Sequence, residues 1–311
     1  MSPFGRHRPE PPTDEERQAA EVDLERIRQG GIPLGAEQRL KRVAAASSPF
    51  FTSDLTAKEY ALAQASGLQP VAQVMGSSVV QHGWLGTRGA FYVTGEIPGL
   101  SEPWNMARTR AFDRLRQEAE LADADGVIGI EMTAGSLGDG GNVELVVFGT
   151  AVRDGTLSPR PSGQLGMCTL SGQDVDKLRR IGAEVCGVVG HTTVISVQLG
   201  MNSSWVMNTS GMFGGGAQMN TEITEITEGV YYARSRAMAE VRRQGSAAGA
   251  NDIVISMLRH TIEHYEYEQA GYRYHYFHVT MNVLGTAIRL GARDPHPAPL
   301  SGPMMSINLG A

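Results

Sequence analysis

Ala107-Arg108-Thr109-Arg110-Ala111 returns, with one conservative change, as Ala233-Arg234-Ser235-Arg236-Ala237. The likeness continues through Ala122 and Ala124, which stand opposite Ala248 and Ala250, into Val127-Ile128 opposite Ile253-Val254. Ala107, Ala111, Leu115 and Ala122 recur at the three- and four-residue spacing of a helix with one apolar stripe, as do Ala233, Ala237, Val241 and Ala248. Each helix runs into a Gly/Asp/Asn turn and then a β-branched strand. The chain carries one design twice.

Further out, Leu55-Thr56-Ala57-Lys58-Glu59 matches Leu170-Ser171-Gly172-Gln173-Asp174. Both set a hydroxyl three residues before an acid, the spacing that satisfies the first N–H groups of a helix. A helix-ending glycine follows in each, Gly67 or Gly182. Next come apolar strands, Val71-Ala72-Gln73-Val74-Met75-Gly76 and Val185-Cys186-Gly187-Val188-Val189-Gly190, a match that sets Gly76 opposite Gly190. Gly149-Thr150-Ala151-Val152-Arg153 against Gly285-Thr286-Ala287-Ile288-Arg289 closes both copies. The spacing between copies widens along the chain, so the second carries insertions, within 195–229 and 257–281.

Each copy reads as strand, short helix, strand, long helix and two strands. That predicts an α+β fold in which a long and a short helix cover one face of a mixed sheet. The glycine-rich run 136–142 reads as a hairpin turn, since no Lys-Ser/Thr follows it to hold a phosphate. The expected organisation is a helical extension over 1–48, a first repeat over 49–154 and a linker over 155–166. A second repeat over 167–290 and a Pro-rich tail over 291–311 complete it.

At this point the sequence resembles the YbjQ-like family, labelled a heavy-metal-binding domain. The residues that carry the likeness are Gly76 after an apolar strand, the Ala107-Arg108-x-Arg110-Ala111 helix, 122–129 entering a strand, and Gly149-Thr150-Ala151-Val152. The second copy matches at Gly190, 233–237, 248–254 and 285–288. The resemblance implies a domain that assembles into rings, typically pentamers, so a homo-oligomer in a multiple of five is expected. No ligand set carries over with it. The chain departs from the family pattern in being tandem, in its N-terminal helices and in its two insertions.

Composition points the same way. Lys+Arg 27 against Asp+Glu 33 leaves a net charge of −6, with no basic excess for a nucleic-acid partner. Charged residues are only 19%, below the usual quarter, which fits surface buried between subunits. No run approaches the ~18–20 apolar residues of a membrane span, and residues 1–28 mix both charges without an apolar core. The expected location is cytoplasmic. No nucleophile has a recognisable base beside it, so the protein reads as non-enzymatic, the rival being an active site formed only at a subunit interface. The Arg108/Arg110 and Arg234/Arg236 pairs read as intersubunit salt-bridge partners.

Two segments are candidates for metal chemistry. His260, His264, His275 and His278 crowd the second insertion, and His260-Thr261-Ile262-Glu263-His264 spells an inverted zinc-protease motif. That motif needs a helix, whereas Tyr265, Tyr267, Tyr272, Tyr274, Tyr276 and Phe277 make this segment β-rich. A hairpin turning at 268–271 predicts His264 opposite His275 and Glu266 opposite Arg273, with His260 further along that face. Such a set suits Zn, Cu or Ni; the bland alternative is an aromatic hairpin projecting into a ring or an interface. The Met/Gly-rich stretch 201–220 reads as a contact loop, with Cu(I) binding by thioethers as the rival. Residues 304–309 read either as a strand docking on a neighbouring sheet edge or as a frayed terminus. Cys168 and Cys186 read as buried small residues.

Overall fold

The computed structural model describes residues 13–45, 55–81, 94–137, 142–154, 165–200, 203, 222–269 and 271–291. The core of the glycine run, most of the linker, nearly all of 201–220 and the tail lie outside these residues.

Two N-terminal helices, α1 (Asp14–Arg28) and α2 (Leu34–Ala45), precede the first repeat. Thr13 and Glu16 form the capping box at the head of α1. The first repeat then supplies α3 (Ala57–Ala65), β1 (Leu68–Gln81), β2 (Gly95–Glu96), α4 (Pro98–Leu121), β3 (Gly126–Leu137) and β4 (Asn142–Asp154). The second supplies β5 (Gly166–Met167), α5 (Gly172–Arg180), β6 (Glu184–Gln198), α6 (Thr224–Ala247), β7 (Asp252–Gln269) and β8 (Tyr272–Arg289). Thr56 with Glu59 caps α3, and Ser171 accepts from the Asp174 N–H at the head of α5.

The strands form two four-stranded sheets, ordered β1-β4-β3-β5 and β2-β6-β8-β7. Each sheet borrows its last strand from the other repeat. β5 runs parallel to β3, Gly166 beside Gly126, so the first sheet is mixed. β2 runs antiparallel to β6. The bond ladder continues past β5, where the Cys168 N–H donates to the Val127 carbonyl at 2.9 Å and the Gly129 N–H to the Leu170 carbonyl at 2.8 Å.

The register corrects the glycine match. Met75 pairs with Phe148 and Gly190 with Leu284, and those partners immediately precede the matched Gly149 and Gly285. Gly190 therefore occupies the place of Met75, and His191 that of Gly76. The two glycines were alike in sequence but face opposite sides of their sheets, because a one-residue slip reverses a strand. Gly76 lies under α4, where a Cβ would overlap the Ala111 carbonyl and the Leu115 nitrogen. The second repeat carries His191 at that place, and α6 comes closest elsewhere, where a Cβ on Gly229 would overlap the Val197 side chain.

The core follows from these contacts. Val74, Val127, Val143, Leu145 and Val147 pack under Ala107, Ala111 and Leu115 of α4. Ile195, Val197, Val279 and Met281 pack under Ala233, Ala237 and Val241 of α6. The second insertion lengthens the last hairpin, whose strands are 18 residues each against 12 and 13 in the first repeat.

Candidate functional site: the seam and the histidine hairpin

The seam between the repeats is built on the outer edge of β6. Its backbone groups meet successive residues of the first repeat. The Ile97 N–H donates to the Val194 carbonyl at 2.9 Å, and the Val194 N–H donates to Ser101 Oγ at 2.9 Å. Asn105 acts as a side-chain peptide: its Oδ1 accepts from the Thr192 N–H at 3.0 Å, and its Nδ2 donates to the Thr192 carbonyl at 2.9 Å. Arg108 donates to Thr192 Oγ1 at 3.1 Å and also to Asn105 Oδ1. Burial pushes the Arg108 guanidinium down to about 10, against the pull of Glu240, so it remains charged at neutral pH. Glu96 pairs with Arg236 at 2.9 Å. The two arginine motifs thus meet partners across the repeat boundary inside one chain.

A sheet edge with satisfied polar groups does not invite a further strand. Val194 itself is only 2% exposed because its side chain packs into the core of the first repeat. Ser101 and Asn105, which sequence reasoning passed over, are the residues that seal the edge. Their only signal was small polar side chains at helical spacing on the flank that also carries Trp104, Arg108 and Phe112.

Cys168 is buried, and burial pushes its thiol up to about 11, leaving it protonated and a poor nucleophile. Cys186 is half-buried.

The histidine hairpin lies at the far end of the second sheet. Gln269 pairs with Tyr272, and the turn ends at Gly271 with φ 78°. This turn is tighter than the sequence suggested and shifts the register. His264 faces Phe277, Glu266 faces His275, and Glu268 faces Arg273. His264 and His275 become diagonal neighbours on one face, with His264 Nε2 3.0 Å from His275 Nδ1. Glu266 Oε1 lies 3.8 Å from His264 Nε2 and 3.5 Å from His275 Nδ1. Arg273 approaches the other Glu266 oxygen at 3.8 Å.

Three ligands in a tetrahedral array around a metal at ~2.1 Å lie about 3.4 Å apart, close to the separations seen here. His260 does not join them: it pairs with Met281, roughly 13 Å along the strand from His264 at 3.3 Å per residue. Glu266 takes its place as the third group. Among the described residues this is the one cluster of three or more such side chains that could hold a metal. Burial lowers the His275 pKa, against the attraction of Glu266, and so favours the neutral ring that ligates. Aromatic stacking stiffens the hairpin, with His264 on Phe277 at 4.6 Å, Tyr265 on Tyr276 at 5.2 Å and Tyr267 on Tyr274 at 5.0 Å. His278 is buried beside Tyr265, on the other face of the hairpin.

Among the described residues, no helix is long and apolar enough to cross a membrane. Comparison with known proteins places these features in a lineage. The family described as "Putative heavy-metal-binding" (YbjQ) matches residues 55–154, the first repeat. The chain is 35% identical over 216 residues to an encapsulin nanocompartment protein of Mycobacterium tuberculosis, covering 66% of this chain and 76% of that protein. It is 46% identical over 59 residues to a UPF0145 protein of Halorubrum lacusprofundi, covering 19% of this chain and 56% of the relative. A UPF0145 protein of Helicobacter hepaticus is 44% identical over 61 residues, 20% of this chain and 58% of its own length. The match thus spans little more than half of each UPF0145 relative. No solved structure matches the chain. Sharing a two-copy design with the family's strand, helix and strand motifs, and aligned with a relative over three quarters of that relative's length, the chain belongs to the YbjQ-like family.

Proposed function

We propose that the protein is a non-enzymatic, cytoplasmic component that assembles from its tandem YbjQ-like domains into a ring or cage-like homo-oligomer, in a multiple of five. The observation that carries this reading is the seam: a repeat of this design exposes a strand edge that another repeat is shaped to cover. The mycobacterial relative, which is named as an encapsulin nanocompartment protein, supports it. Native mass spectrometry at micromolar concentration tests the proposal. The expected result is a closed multiple of the chain mass; a monomer overturns it, and a closed assembly of another count removes the five-fold part.

A second reading has its own observation. His264, Glu266 and His275 bring ligand atoms within 4.8 Å of one another. Two imidazoles and a carboxylate are a ligand set suited to Zn, Cu or Ni. Isothermal titration of zinc into the full chain and into a His264→Ala/His275→Ala variant decides it. Binding with about one ion per chain, lost in the double variant, supports the site, and indistinguishable isotherms remove it.

A further inference from the structure

The two repeats share one design, yet among the described residues the equivalent strand edges differ at their far ends, where β6 is covered and β1 is not. On β6 the Val194 carbonyl accepts from Ile97 and its N–H donates to Ser101, whereas at Val79, in the same place on β1, no described residue supplies such bonds and the residue is 58% exposed. The Met75 N–H donates to Glu118, and the Ser77 carbonyl accepts from Arg114. Backbone groups alternate along a strand, so Val79 turns its own N–H and C=O to that same open edge. β1 is the outermost strand of its sheet.

The covering elements also exist twice. Ile97, Ser101 and Glu96, which seal β6, have counterparts in Ile223, Thr227 and Glu222 at the head of α6. Ile223 is the N-cap residue of α6, with φ −88° and ψ 90°, close to the φ −107° and ψ 93° of Ile97 at the head of α4. The Ile97 N–H is bonded to Val194, whereas among the described residues the Ile223 N–H donates to none. Arg236, the partner of Glu96, has its counterpart in Arg110, which is exposed.

We infer that the β1 edge of one copy is covered by the head of α6 of a second copy, repeating between chains the seam that joins the repeats within one. The Ile223 N–H donates to the partner's Val79 carbonyl, the Val79 N–H donates to Thr227 Oγ1, and Glu222 pairs with Arg110. The surfaces on the two partners differ, so the contact is head-to-tail and must close into a ring or continue as a filament. This inference rests on the self-assembly proposed above and names the surface that performs it.

Full-length variants test it by native mass spectrometry and sedimentation. Ile223→Pro deletes the donor just before the first turn of α6, where proline is tolerated, and the expected result is loss of assembly with an unchanged circular dichroism spectrum. Glu222→Arg and Arg110→Glu each set like charges across the seam and should weaken association about tenfold or more. Combined in one chain, the reversed charges should restore it. This swap decides the matter if the proline variant does not fold. An assembled wild type whose variants all keep its size and affinity overturns the inference while leaving self-assembly intact. That outcome includes pairing of β1 with a second β1. A monomeric wild type removes the self-assembly reading itself.

Discussion

Helices α4 and α6 share nearly the same five central residues and lie in different surroundings. α4 buries Ala107, Ala111 and Leu115 on its own sheet, and Ser101, Trp104, Arg108 and Phe112 on its other flank. α6 buries Gly229, Ala233, Ala237, Val241 and Gly245, one stripe, and leaves Tyr231 67% exposed. The same contrast separates the strands beneath. β1 alternates buried and exposed positions, while from Val189 onward β6 is almost continuously buried. A single design thus shows what its sequence demands, the helix-on-sheet stripe, and what its neighbours add.

The comparison can be broken most sharply at Gly76. Gly76→Ala forces a methyl into the α4 backbone and should cost about 3 kcal/mol or more, because neither strand nor helix can yield locally. A thermal or urea melt reads it; a neutral result would mean that α4 does not approach β1 so closely. Next comes the seam. Asn105→Ala leaves the buried Thr192 N–H and carbonyl without partners and should cost about 2 kcal/mol. A loss of under half a kcal/mol would mean that water reaches this edge.

Glu118 and Gln244 hold equivalent places, accepting from Met75 and Gly190 respectively. Burial raises the Glu118 pKa despite Arg39, so its ionised form costs stability that returns as pH falls through its titration. Glu118→Gln should therefore raise the melting midpoint at pH 8, with a gain that shrinks on acidification. A gain independent of pH would assign the effect to packing. The smallest effect belongs to Gly229→Ala. Its obstacle is one methyl of the buried, β-branched Val197 rather than backbone, an overlap costing about 1–3 kcal/mol; alanine returns up to about 1 kcal/mol of helix propensity, so the net loss should be about 1 kcal/mol. If it matched Gly76→Ala, the two repeats would be equally tight and the contrast would fail.

Long helices, caps and the duplication were legible because periodicity and punctuation act over many residues. Thr13, Thr56 and Ser171 all cap as their spacing predicts. Register was not legible to the residue. Glycine marked both first strands, but Gly76 makes room for a helix backbone while Gly190 lies against Leu284 and Arg108. The hairpin slipped for a related reason: its turn closes between Gln269 and Tyr272, so Glu266, not His260, meets the histidine pair. β2 spans two residues, too short for any period to announce it, while β5 stands where a strand was expected before the short helix but joins the sheet of the other repeat, a pairing no local pattern carries.

The exchange of those short strands has a consequence for dilution. Because β2 and its receiving edge on β6 belong to one polypeptide, their local concentration is set by the tether, at the millimolar scale typical of short linkers, whatever the abundance of the protein. Duplication therefore turned one association step into a folding step. A chain freshly made and still scarce already holds that joint closed, and scarcity acts only on contacts between separate molecules.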